Sequence, residues 1–505
     1  MKHCNIKSFL ILICIGILFS CDFAEKNISP NTSSTIEPGP LLTYVQLYTT
    51  DNSLCKRTQV GYCMMMVQQT ASLERDEMAG DKYLETATLG EFFTSSYTSV
   101  IKNTLELINR TKEDEKLSNT YAVALIWKSF LFHRMTDLYG DIPYSEAGNG
   151  YALQNFYPKY DKQSDVYAGM IADIEKGLSL LSESKSAIVN GDIVYHGDIT
   201  RWKRFGNSLL LRLGMRLEKA DPALSKATVL KALLGGVMQE PGDICMVQHV
   251  AGKSATENPL SFIFKSHGLL NSGSIKISKP FLTQLQQTND PRMVVYAALP
   301  DGNTAANLQK GLPNGYDIMT IPQGEPGYTS LADYSTFNPG TVLQLDAPTV
   351  FMTHAEVELL QAEAILKGWI SGNAGQHYEA AVRSSMKQQA IYGEKGVISD
   401  SKIDDYLSHS LYDQAKTLEE RLNVIGTEFW ITTFINGYES YANWRRTGYP
   451  KLTPVSYSGS HYKGSIPRRF SYPIQEYSIN KSHVEDAVTR QGADNLSTRI
   501  WWDKN

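Results

Sequence analysis

TYAVALIWKSFLFHRMTDLYG, residues Thr120–Gly140, is apolar on nearly every face when wound at the helical period. A helix of that kind has no side left for water and belongs in a core. Gly140 and Pro143 follow it and give the stop. One long, fully buried helix needs other helices around it, so this stretch sets the expectation of a mainly α protein.

The neighbouring segments supply those helices. SDVYAGMIADIEKGLSLL (Ser164–Leu181) carries Val166, Met170, Ile174 and Leu178 at steps of four, an amphipathic pattern. TRWKRFGNSLLLRLGMRLEK (Thr200–Lys219) places Trp202, Phe205, Leu209, Leu213 and Leu217 on one stripe. A second helical region covers about residues 350–445. There Thr353 and Glu356 fit a capping box opening HAEVELLQAEAILKG (His354–Gly368). AGQHYEAAVRSSMKQQAI (Ala374–Ile391) is the expected hairpin partner, followed by Ser410–Ile435 and Gly437–Tyr449. Paired helices with Ala and Gly where they touch predict tetratricopeptide-like hairpins over about 90–220 and 350–445, without a strict repeat.

Residues 240–345 differ. LPDGNTAANLQKGLPNGYDIMTIPQGEPGYTSLADYSTFNPG (Leu299–Gly340) is dense in Gly, Pro and Asn and has no helical period. A long irregular segment inside a compact body is usually functional, and binding residues concentrate on loops held by a rigid scaffold. Tyr316, Tyr328, Tyr334 and Phe337 on this loop, with Tyr83 ahead of the first helices, are the ligand-contact candidates. Tyrosine supplies a flat apolar face and a polar tip; the structural alternative is that these rings pin the loop to the body.

The first residues read as an export signal. A basic head (Lys2, His3, Lys7) precedes the apolar run FLILICIGILF (Phe9–Phe19), too short to span a membrane. Leu18-Phe19-Ser20-Cys21 resembles a bacterial lipobox, which makes 1–20 a signal peptide and Cys21 the acylated first residue of the mature chain. Residues 21–42 are polar and rich in Ser, Asn and Pro, and predict a flexible tether to a body covering 43–505. No later stretch is long and apolar enough to cross a bilayer.

Composition narrows the partners. A net charge of −5 argues against nucleic acid, which calls for basic patches. Cys55, Cys63 and Cys245 are too scattered for a disulfide framework; reduced packed thiols are expected, with a Cys55–Cys63 pair as the alternative. No HExxH or GxSxG motif is present, and Gly252-Lys253-Ser254 lacks the leading glycine of a phosphate loop, because position 247 is Val. Gly148-Asn149-Gly150 reads as a turn. His354 and Glu358 lie one helical turn apart, but an exposed first turn is the expectation there and no metal is assigned.

FLFHRMTDLYGDIPYSEA (130–147), GDITRWKRFGNSLLLRLGMRLEK (197–219), NDPRM (Asn289–Met293), FMTHAEVELLQAEAILKG (351–368), GYESYANWRRTGYPKL (437–452), IPRRFSYPIQEYSIN (466–480) and IWWDK (500–504) follow one another in an order that resembles the SusD/RagB family of nutrient-binding outer-membrane lipoproteins, in its SusD-like second branch. The resemblance covers nearly the whole mature chain. It implies a tetratricopeptide-type α-superhelix with an irregular ligand-binding subdomain and a surface-exposed, lipid-anchored protein; separately, no cofactor is expected. It further implies a SusC-like TonB-dependent transporter as partner, with oligosaccharides or peptides captured and handed over rather than cleaved. A surface glycan- or peptide-degrading enzyme on a helical scaffold, or an adhesive surface protein, is the alternative. Within the matched motifs, Trp444-Arg445-Arg446 and Arg468-Arg469 are expected to brace helix ends and carboxylates, and Trp501-Trp502 to pack the C-terminal tail.

Overall fold

The computed structural model describes residues 37–50, 57–150, 154–266, 274–462 and 464–504. The signal segment, Cys21, Cys55 and the tether up to residue 36 lie outside the described residues. The expected tether reaches too far: α1 (Pro38–Tyr48) begins with a proline in its first turn and buries Leu41, Leu42 and Val45, so the body starts before residue 43.

The decisive stretch forms α2 (Ser118–Tyr139), buried along almost its whole circumference and ended by Gly140 at φ +82°. A side chain at Gly140 would meet the Gln491 carboxamide, so this stop is also a contact point for the C-terminal region. α3 (Gln163–Leu180) packs against α2, and α4 (Ile199–Arg216) against α5 (Pro222–Gly235). In the second region α6 (His354–Leu366) packs against α7 (Ala374–Lys387), and α8 (Leu418–Thr432) and α9 (Gly437–Thr447) close the set. Together these pairs make the tetratricopeptide-like α-α superhelix expected from the sequence. Gly177 lets α3 approach the Ala122 carbonyl, where a Cβ would lie 2.8 Å away. Trp202, Phe205, Leu209, Leu213 and Leu217, the predicted stripe, are all fully buried.

α5 extends the first region beyond its predicted end near 220. Its signals are local: Asp221 accepts from the Leu224 N–H as cap, and Pro222 occupies the first turn.

Region 240–345 is less featureless than its composition suggests. Helices Pro259–Ser266, Lys279–Gln287 and Met293–Tyr296 interrupt it. Three two-stranded antiparallel sheets anchor it: β1 (Thr70–Ser72) with β3 (Ile275–Ile277), β2 (Cys245–Val247) with β6 (Thr349–Met352), and β4 (Ala297–Ala298) with β5 (Thr336–Phe337).

Side chains from the distant motifs converge on one buried charge network. Arg212 of α4 holds Glu356 of α6, and Arg216 holds Glu439 of α9 through contacts of 2.7 Å. Arg216 also lies 3.2 Å from Asp137, which takes a hydrogen bond from the Trp502 indole at 2.9 Å. Burial alone would raise the Asp137 pKa; the charges of His133 and Arg216 outweigh it and hold that carboxyl well below its ordinary value. Arg446 clasps Glu363 through two contacts of 2.6 Å, Arg468 pairs with Asp503, and Arg469 with Asp494, so the expected bracing role is met.

Two expectations need correction here. Glu356 does not reach back to complete a capping box: Thr353 accepts from the Glu356 N–H, but the carboxylate is taken by Arg212. The reciprocal box forms instead at Thr417 and Glu420 on α8. Nor is the His354 turn exposed: His354 is buried, with Nδ1 3.0 Å from Ser384 Oγ and Nε2 3.2 Å from Glu358. Cys245 is a free buried thiol and Cys63 is buried.

Candidate ligand-binding surface

The loop 310–334 rests on the β1–β3 ribbon. Ile275 and Ile277 join the main core, and strand alternation turns the intervening Lys276, paired opposite Ala71, to the other face. There a second, smaller apolar cluster gathers Ala71, Leu73, Leu312, Ile321 and Tyr334, with Tyr316, Tyr328 and Leu331 packed against it. The loop backbone is tied to the ribbon: Leu312 N–H donates to Ile277 O at 2.9 Å, and Ile277 N–H to Ser335 O at 2.9 Å. An irregular segment is thereby fixed by sheet-like hydrogen bonds, while Tyr316, Ile318, Met319 and Tyr328 keep exposed surface.

The predicted contact residues separate into two groups. Tyr83, Tyr334 and Phe337 are buried and present no ring face to a ligand, which corrects their assignment as contacts. Tyr83 sits in the left-handed region at φ +54° and accepts from the Val455 N–H through its hydroxyl, locking the 455–460 segment. Phe337 is wedged between Phe264 and Phe434, with centroids 5.1 and 5.5 Å away. Tyr334 lies beneath Tyr328, their rings 6.1 Å apart and 28° from parallel, with the Lys310 ammonium 4.4 Å from its centroid. Tyr316 and Tyr328 stay partly exposed. The Tyr316 ring lies over Gly324, where an added Cβ would come within 1.9 Å of it.

Between the two partly exposed rings the loop tip carries Ile318 and Met319, both largely solvent-facing. Asp317 fixes that tip. It accepts from the N–H groups of Met319 and Thr320 and from the Tyr457 hydroxyl at 2.6 Å. Burial acts to raise its pKa, but these donors win and bring it to about 2, so it is a constitutive anion. The arrangement suits stacking against a flat apolar ring face, with hydrogen-bonding groups at the rim.

Sequence reasoning missed a further exposed aromatic pair, Phe156 and Tyr157, after the Gly148–Gly150 turn. The signal was two adjacent rings in a segment with neither helical nor strand period. Among the described residues no group of three or more His, Cys, Asp or Glu side chains is arranged to hold a metal ion, and no helix is long and apolar enough to cross a membrane.

A solved chitin-binding protein shares 30% identity and superposes with a TM-score of 0.82 over 93% of this chain and 100% of its own. A Bacteroidetes AC2a SusD-like protein gives 26% identity and a TM-score of 0.81 over 93% and 100% of the two chains. A chitin-binding SusD homolog from Flavobacterium johnsoniae gives 27% and 0.76 over 92% and 98%. No relative is found among the curated proteins. The family model matching residues 30–473 is the second SusD-like one, described as "Starch-binding associating with outer membrane", and the chain belongs to that family.

Proposed function

We propose that this protein is a non-catalytic, lipid-anchored glycan receptor of the outer membrane that passes oligosaccharides to a SusC-like TonB-dependent transporter. The observation that carries this reading is the pair Tyr316 and Tyr328: two partly exposed rings on a loop that is otherwise hydrogen-bonded to the ribbon and packed on its own apolar cluster. Such a loop is pre-organised, so little conformational entropy is lost when a sugar stacks on it. Two relatives whose names record chitin binding support a glycan over other ligands. The motif residues Asp137, Arg212, Arg216, Glu356 and Glu439 are consumed in buried ion pairs, which supports a structural rather than a catalytic use for them. Cys21 would carry the lipid and hold the body at the membrane.

Titration of the purified protein with chitin and starch oligosaccharides, combined with assay of newly formed reducing ends, tests the reading. Saturable binding without release of reducing ends is expected. Turnover of the glycan would overthrow the binding-only account. Cys21→Ala should yield a folded protein that binds glycan but no longer sediments with membranes lacking the transporter.

A further inference from the structure

A groove of about 730 Å³, lined by none of the aromatic loop's residues, lies between the start of α3 and the C-terminal tail. Its wall includes Lys162, Gln163, Arg490, Arg499, Trp501 and Lys504. The volume falls within the range of small-ligand clefts. We propose that this groove is a second carbohydrate site, specific for an acidic oligosaccharide whose sugars carry carboxylates.

Charge is the first support. Two carboxylates also line the groove, but both are already neutralised. Asp141 is held by Arg490 at 3.0 Å, and Asp503 by Arg499 at 2.7 Å and by Arg468. Lys162 and Lys504 are exposed, and among the described residues neither ammonium has an ion-pair partner. The groove therefore offers a surplus of cations in a protein whose overall charge is −5.

The second support is a buried acceptor. Gln163 is only 1% exposed, and its amide nitrogen donates to the Thr136 carbonyl at 2.7 Å. Its Oε1 has no hydrogen-bond partner. Gln163 lines the groove, and a buried carbonyl left unpaired is costly, so a side-chain shift that brings Oε1 to the groove would let a hydroxyl of a bound molecule donate to it. The third support is Trp501, which is partly exposed on the groove while its ring packs 6.1 Å from Tyr167. An indole platform, free cations and an orphaned acceptor match a uronic-acid chain, which brings apolar ring faces, carboxylates and hydroxyl donors together. A polyanionic peptide supplies carboxylates but neither the ring face nor the hydroxyls.

Calorimetric titration with oligogalacturonate, a neutral chitooligosaccharide and poly-glutamate tests this. Oligogalacturonate should bind, with affinity that falls as salt rises. Trp501→Ala should weaken it about threefold to tenfold. Because Trp501 also packs on Tyr167, the double variant Lys162→Ala/Lys504→Ala serves as a second probe; it should weaken oligogalacturonate and leave the neutral oligosaccharide unchanged. Tyr316→Ala/Tyr328→Ala should leave oligogalacturonate binding intact, so failure here is separable from failure of the loop site. The proposal is overturned if oligogalacturonate does not bind, if the double lysine variant binds it as wild type does, or if poly-glutamate binds equally well.

Discussion

Arg212 and Glu356 meet through two hydrogen bonds, Nε to Oε1 at 2.6 Å and Nη2 to Oε2 at 2.7 Å, across a separation of 144 residues. The pair fastens α4 of the first helical region to the first turn of α6 in the second. It also explains why a sequence-perfect capping box is left half made: the buried guanidinium is a stronger partner than a backbone N–H.

Glu356→Gln should therefore destabilise the body by about 3–5 kcal/mol, the usual cost of stranding one buried charge. The double variant Arg212→Met/Glu356→Leu should cost less than the sum of its singles. Urea denaturation at neutral pH checks both. A single-variant loss below about 1 kcal/mol would mean that Glu439, 3.5 Å from Arg212, can replace Glu356.

Gly324 is a test of loop geometry that leaves every tyrosine in place. A Cβ there overlaps the Tyr316 ring. Gly324→Ala should displace that ring and weaken glycan binding about as much as Tyr316→Ala, while global stability changes by no more than about 1 kcal/mol. Wild-type affinity in Gly324→Ala would place the ligand elsewhere.

Lys276 makes a pH prediction. It is fully buried, its ammonium has no hydrogen-bond partner, and burial lowers its pKa to about 8, only partly offset by the charge of Asp333. Between about 8 and the ordinary 10.5 the unfolded chain holds the proton that the folded chain has released, so stability rises with pH through that window. Below it the cost of burying the charge is fully present. Lys276→Met should stabilise the protein at pH 7 by about 2–3 kcal/mol, an advantage that fades by pH 10. Denaturation midpoints at the two pH values decide; a variant less stable than wild type at pH 7 would contradict the argument.

The helical frame was legible because its signals are periodic. The Trp202-to-Leu217 stripe and the all-round apolarity of α2 follow from side-chain spacing alone. α5 was missed although Asp221-Pro222 marked its start, because its apolar positions are weakly arranged. The binding loop was located by composition, but composition cannot rank its rings. Which of Tyr83, Tyr316, Tyr328, Tyr334 and Phe337 is exposed depends on contacts such as Tyr83 with Val455 and Phe337 with Phe434, made by residues about a hundred or more positions away. The groove at Trp501 was illegible for the same reason: its walls come from the start of α3, the helix Lys481–Gln491 and the tail. In sequence, Trp501-Trp502 reads as one packing pair, whereas only Trp502 is fully buried.

The most direct test of the central claim is calorimetric titration of Tyr316→Ala/Tyr328→Ala with the glycan that the wild-type protein binds. Affinity should fall at least about tenfold while the thermal midpoint stays within a few degrees of wild type, because both rings are partly exposed and lie at the edge of the small cluster. Undiminished affinity in a folded double variant would contradict the assignment of this loop as the glycan-binding surface.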